Sequence, residues 1–219
     1  ADMATVNHRT REVQFKIVYC GTPLGGKTSN LQHIHERLGP SMRGDLVSIA
    51  GAADRTLFFD FLPVNAHVIA GFRTRFQLYT VPGQRAFNET RQVVLTGVDG
   101  VVFVADSSPD RAQANVMALE ATWQALAGFK LTPGDLPFVY QFNKRDLPDA
   151  LPCYEMQEQL NPKGYPSFAS VASTGYNVFS TLEAVTQAVL HGFHHRGDRT
   201  PPRSGSRPVP PCQDVALAS

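Results

Sequence analysis

Gly21-Thr22-Pro23-Leu24-Gly25-Gly26-Lys27-Thr28 spaces its glycines, lysine and hydroxyl in the pattern G-x-x-x-x-G-K-[ST]. Glycines let a backbone wrap closely around phosphate oxygens, so that amide N–H groups point inward. The start of a following helix adds positive potential to the same pocket. Lys27 then neutralises the β- and γ-phosphates of a nucleotide, and the Thr28 hydroxyl ligates Mg²⁺. Gly21, Gly25, Gly26, Lys27, Thr28 and Ser29 are the phosphate-binding residues this pattern implies.

A second group, Asn143-Lys144-Arg145-Asp146, follows a strand-like run that ends near Phe142. At the C-terminal edge of a parallel sheet it would lie in the crevice where ligands bind. A carboxylate there accepts two hydrogen bonds, from guanine N1–H and the 2-amino group. Adenine has neither donor and would leave Asp146 unpaired at a cost of a few kcal/mol. Asn143 would brace the loop and touch the purine, and Lys144 would lay its stem over the ring. By itself a four-residue N-K-x-D is a polar turn. Behind a phosphate loop at this separation it argues for guanine and against an ATPase or P-loop kinase. Ala172, after the last strand-like run, offers an amide for the guanine carbonyl.

Hydrolysis needs an oriented water and a sink for developing charge. Pro82-Gly83-Gln84 follows another strand end, where the Gly83 amide would sense the γ-phosphate and Gln84 would orient the attacking water. Thr56 is the expected second hydroxyl ligand of Mg²⁺. Arg55 beside it is the candidate arginine finger, acting in cis with Gln84 and Lys27 as the catalytic set. Small GTPases usually carry D-x-x-G before the second switch, and its Asp holds a Mg²⁺-bound water. Thr80 stands at that position. Asp60 and Asp106, both near strand ends, are the alternative carboxylates.

The elements that must position these groups alternate between strand and helix, the pattern of an α/β fold with a mainly parallel sheet. Val13, Phe15, Ile17 and Tyr19 alternate at period two and run straight into the glycine-rich loop. Lys27 to about Leu38 reads as a helix, stopped by Gly39-Pro40. Leu57–Leu62 and Phe72–Val81 read as strands joined by a short link, an antiparallel hairpin at the sheet edge. Val101–Ala105 is a continuous apolar run suited to a central strand. Arg111–Gly128 is helix-like, Phe138–Phe142 and Ser167–Val171 are strands, and Val178, Leu182, Val185 and Val189 mark a closing amphipathic helix. The predicted architecture is a three-layer P-loop domain over residues 11–195. Residues 1–10 are expected to be a flexible lead, and 196–219 a disordered Pro/Arg-rich tail.

The 219 residues suffice for one well-buried domain, at 42% hydrophobic and 18% charged. A net charge of +1 argues against broad binding to nucleic acid or an anionic bilayer. No apolar run approaches the ~20 residues of a membrane span, and the first residues lack the features of a secretory signal. Three unpaired-looking cysteines, Cys20, Cys153 and Cys212, fit reduced thiols and a cytoplasmic location. His191, His194 and His195 are read as a solvated helix end and not as a metal site. Cys212 stands too far from the end for prenylation, and Pro208-Val209-Pro210-Pro211 is read as solvated tail.

With these pieces assembled, the chain resembles the MglA family of bacterial Ras-like GTPases of gliding motility and cell polarity, from about Arg11 to Leu190. The most specific pieces are Arg55–Pro63, Leu78–Gln84, Gly97-Val98-Asp99-Gly100 and Asn143–Pro148. Thr80 is shared with that family. The resemblance implies a GTP-driven switch with low unaided turnover. Arg55 and Gln84 would be brought into place when an MglB-type GAP of roadblock fold shifts the second strand. It also implies polarity or motility effectors and recruitment to a cell pole. The chain departs from the family at Thr22-Pro23, where Pro-Gly is usual, at Ser29 for a second Thr, and at Arg85-Ala86 after Gln84. These mark it as a divergent paralogue. The competing expectation is a nucleotide-binding scaffold that hydrolyses little.

Overall fold

The structure is a computed structural model, and it describes residues 5–49, 59–69, 71–81 and 88–197. In chain order the elements are strands β1 (Thr5–Asn7) and β2 (Glu12–Gly21), helix α1 (Lys27–Arg37), and strands β3 (Val47–Ile49), β4 (Phe59–Ile69) and β5 (Phe72–Thr80). Helix α2 (Asn88–Leu95), strand β6 (Gly100–Asp106), helix α3 (Ala112–Ala127) and strand β7 (Phe138–Asn143) follow. Helix α4 (Cys153–Leu160), strand β8 (Ser167–Ala169) and helix α5 (Val178–Gly197) complete the order.

The described strands form one sheet in the order β3-β4-β5-β2-β6-β7-β8, with β1 beside β2. From β5 to β8 every pairing is parallel. The sheet is covered on both faces, so β6 is buried along its whole length and reads as an unbroken apolar run. On one face Phe15, Ile17 and Tyr19 of β2 pack with Leu31 and Ile34 of α1 and with Val178, Val185 and Val189 of α5. On the other, Val18 and Cys20 pack with Leu95 of α2, Leu126 of α3 and Met156 and Leu160 of α4. Period two in β2 therefore feeds two cores at once, each large side chain contributing about 1.5–3 kcal/mol.

Two boundaries differ from the sequence expectation. Thr5–Asn7, expected to be flexible, pair antiparallel with Glu12–Gln14. That is the part of β2 left open by β6, which pairs only from Ile17 onward. The β4–β5 hairpin is antiparallel as expected, but β3 adds a further antiparallel strand outside β4, so the hairpin is not the edge. A three-residue strand is too short to display a period. The closing helix extends to Gly197, and the rest of the expected tail lies outside the described residues. No described helix is long and apolar enough to cross a membrane.

Candidate nucleotide site

The parallel strands all point their C-terminal ends the same way, and the loops that leave β2, β6, β7 and β8 gather there. The phosphate loop leaves β2 at Gly21, whose φ is 131° and where a Cβ would stand 2.0 Å from the Val104 carbonyl oxygen. Only glycine fits this passage. The loop ends at Gly26, again left-handed with φ 101°, and α1 begins at the next residue. No side chain caps α1 and its first turn carries no acidic residue, so its leading amides and dipole are left to face the loop.

Lys27 is buried, and its ammonium donates to the Thr22 carbonyl at 2.6 Å and the Gly21 carbonyl at 3.2 Å. Burial pushes its pKa down to about 8. A buried cation whose hydrogen bonds go to neutral carbonyls gains from an added anion.

Next to it stands a carboxylate. Asp60 of β4 is buried, and its Oδ2 accepts from the hydroxyls of Thr28 at 2.7 Å and Thr80 at 2.9 Å. Its Oδ1 accepts from Ser48 at 2.7 Å, and its own amide donates to the Thr80 oxygen at 2.9 Å. The pairing register explains the meeting. At the hairpin turn Ile69 faces Phe72, but an irregularity between Asn65 and Val68 shifts the pairing by one residue, so that Phe61 faces Tyr79. Asp60 therefore lies opposite Thr80. Of the two carboxylates left open by the sequence, Asp60 is the one at Thr28. Asp106 bonds instead to Ser108 and Lys144.

Asn143, at the tip of β7, ties the two halves of the site together. Its Nδ2 donates to the Gly25 carbonyl at 2.8 Å, and its Oδ1 accepts from the Ala172 amide at 2.8 Å and the Ser170 hydroxyl at 3.2 Å. A Cβ on Gly26 would stand 2.0 Å from Asn143 Nδ2, so this glycine is what admits the clamp. The Ala172 amide, expected to face a guanine carbonyl, is therefore engaged by Asn143. Beyond the clamp opens a cavity of about 210 Å³, lined among others by Leu24, Ser29, Lys144, Asp146 and Ala172. Val171 and Ser173 line it too, from a loop in which a Cβ on Gly175, φ 86°, would stand 1.9 Å from the His33 ring.

Behind these loops Asn30 and Gln141 exchange amide hydrogen bonds at 2.8 and 3.0 Å, and Gln141 also donates to Thr181. This buried pair locks α1 to β7 and α5, and no motif points to it. Gly83 and Gln84, and Arg55 and Thr56, lie outside the described residues.

A phosphate-type loop and a base-side cavity bridged by one asparagine suit a nucleotide, and similarity decides which kind of protein carries them here. The chain is 48% identical over 188 residues to the mutual gliding-motility protein MglA of Myxococcus xanthus (strain DK1622), an alignment covering 86% of this chain and 96% of that protein. The chain belongs to the MglA family of small GTPases. ADP-ribosylation factor-like protein 6 of Caenorhabditis briggsae is also similar, 29% identical over 102 residues, 45% of this chain and 53% of that one. No family model matches. As an MglA-family member the chain is a small GTPase, and in it Asp60 accepts from the hydroxyls of both Thr28 and Thr80.

Proposed function

We propose that this chain is an MglA-type switch that controls motility or cell polarity, alternating between GTP and GDP states in the cytoplasm and recruited to a cell pole. The observation that carries the reading is the Asn143 clamp, which fixes a phosphate loop and a base cavity at one sheet end. Gly21, Gly25, Gly26 and Lys27 would hold the phosphates, with Ser29 at the rim toward the base. Asp146 would select guanine by accepting from N1–H and the 2-amino group. Asn143 and Lys144 would bear on the purine, and the Ala172 amide would share its proton between Asn143 and the guanine carbonyl.

The residues present suit Mg²⁺. A hydroxyl and a carboxylate are hard oxygen donors, and the two are already hydrogen-bonded. Thr28 and Thr56 would ligate the ion directly, with Asp60 holding one of its waters in place of the usual aspartate. An ion held there would offset the charge of the β- and γ-phosphates. Gly83 would donate to the γ-phosphate, Gln84 would orient the attacking water, and Arg55 would donate to charge developing in the transition state. Low unaided turnover, stimulation by an MglB-like roadblock GAP and release of polarity effectors complete the cycle. Residues 11–195 would form the GTPase domain, with 196–219 a solvated extension.

The scaffold alternative rests on Thr80 in place of a carboxylate, on the altered phosphate loop and on Arg85 after Gln84; only the first of these is answered by a neighbouring residue. Asp60, hydrogen-bonded to Thr28, favours the switch. Single-turnover GTP cleavage, with and without a roadblock partner, separates the two: cleavage that the partner accelerates supports the switch, and none in either condition leaves the scaffold. Calorimetric titration with GDP and ADP tests the base assignment.

A further inference from the structure

Asp106 closes β6 and is fully buried, yet no role in phosphate or metal binding reaches it. Its Oδ1 accepts from the Ser108 amide at 3.0 Å and the Ser108 hydroxyl at 2.8 Å. Its Oδ2 accepts from Lys144 Nζ at 2.5 Å. The backbone of Asp106 is fixed as tightly as its side chain. Asn115, in the first turn of α3, accepts from the Asp106 amide at 2.9 Å and donates to its carbonyl at 2.8 Å. A buried carboxylate is costly to leave unpaired, and here the cation that pairs it sits on the loop lining the base cavity.

Lys144 itself has φ 65°, a conformation sparsely populated by residues with a side chain. Such a backbone persists where its surroundings over-determine it. Three contacts surround it: Arg145 N donates to the Ser170 carbonyl at 3.1 Å, Ser107 N donates to the Asn143 carbonyl at 2.9 Å, and the Lys144 ammonium is tied to Asp106. Two neighbouring strand tips, Asp106 and Asn143, lie side by side in register, and Asp106 links Asn115 of α3 to Lys144 of the base loop.

We propose that Asp106 is a positioning residue for the guanine pocket: it fixes Lys144 at the cavity rim and so sets how long a guanine nucleotide stays bound. The inference rests on the guanine reading of residues 143–146. Burial alone would push the Asp106 carboxyl up. The hydrogen bonds from Lys144 and Ser108 and the Lys144 charge outweigh that and hold it below the usual carboxylate range, so the anion is present at neutral pH. Loss of the charge with little change of shape frees Lys144 without removing it.

The test measures release of fluorescent N-methylanthraniloyl-GDP from the full chain, wild type, Asp106→Asn, Lys144→Gln and the double variant, with thermal melting followed in parallel. Asp106→Asn should speed release by about tenfold, and in the Lys144→Gln background it should change the rate less than about twofold, because its target is gone. Multiplicative effects in the double variant, or wild-type release from Asp106→Asn, overturn the proposal. Should Asp106→Asn fail to fold, Ser108→Ala removes the hydroxyl bond to Asp106 Oδ1 and leaves the amide bond: faster release supports the proposal and wild-type release overturns it. A wild type that binds ADP as tightly as GDP removes the guanine reading itself, whereas a GDP-selective wild type with an indifferent Asp106→Asn removes only this inference.

Discussion

Thr28 and Asp60, 32 positions apart, meet side chain to side chain, the threonine hydroxyl donating to the carboxylate at 2.7 Å. One residue opens the helix behind the phosphate loop, and the other belongs to an antiparallel strand two places from β2 in the sheet. Thr80 of the intervening β5 donates to the same oxygen. In the proposed reading Asp60 stands in, one strand outward, for the carboxylate expected at the position of Thr80.

If Asp60 holds a magnesium-bound water, Asp60→Asn should release GDP about tenfold faster in millimolar Mg²⁺ and lose most of the slowing that Mg²⁺ confers. Chelation should then change its rate little. Adding Thr80→Asp to an Asp60→Ala chain returns a carboxylate to the neighbouring strand and should restore part of the Mg²⁺ dependence. Stopped-flow release with and without chelator reads both.

Lys27→Ala should weaken GDP binding by about 100-fold or more, because the phosphates lose a charge-assisted donor in a partly dry pocket. Calorimetry on folded protein checks it. Affinity within a few-fold of wild type would remove Lys27 from the site.

Asp146→Asn should exchange the base preference. The amide keeps one oxygen to accept from N1–H but puts a donor where the second carboxylate oxygen accepted from the 2-amino group, so guanine loses one bond and xanthine, with a carbonyl at that position, gains one. Competition between GDP and xanthosine diphosphate should turn toward xanthine by at least about tenfold.

Gly175→Ala drives a methyl into His33 at a backbone with positive φ. The strain should cost about 1–3 kcal/mol of stability, read as a lower denaturation midpoint. Adding His33→Ala removes the ring and should return the steric part alone. Full recovery would mean that the backbone conformation carries no cost.

Arg55→Ala should leave GTP affinity near normal and slow partner-stimulated hydrolysis by ~10³ or more if it is a finger. Single-turnover rates with a roadblock partner decide it, and equal rates would make Arg55 a surface residue.

The family and the phosphate loop were legible without coordinates because their chemistry is local. Close backbone approach to phosphate needs glycine at fixed steps, and the ammonium and hydroxyl must follow at the start of a helix, so eight consecutive residues state the requirement. The order of strands and helices was legible for a related reason: the alternation at the start of β2 and the unbroken apolar run of β6 record one-sided and two-sided burial directly. Elements of three residues, β1 and β3, left no period to read.

What the sequence left open was decided by contacts between distant segments. Asp60 and Asp106 were equal candidates as isolated aspartates near strand ends. A one-residue shift in the β4–β5 pairing sets Asp60 opposite Thr80; without it Asp60 would face Val81, on the opposite side of the sheet. Asn115 and Lys144 claim Asp106 for the base loop in the same way. Residue types and short spacings fix which chemistry a chain can perform, because a motif is covalently local. Which carboxylate serves which loop depends on strand register and burial, and those exist only after the sheet has formed.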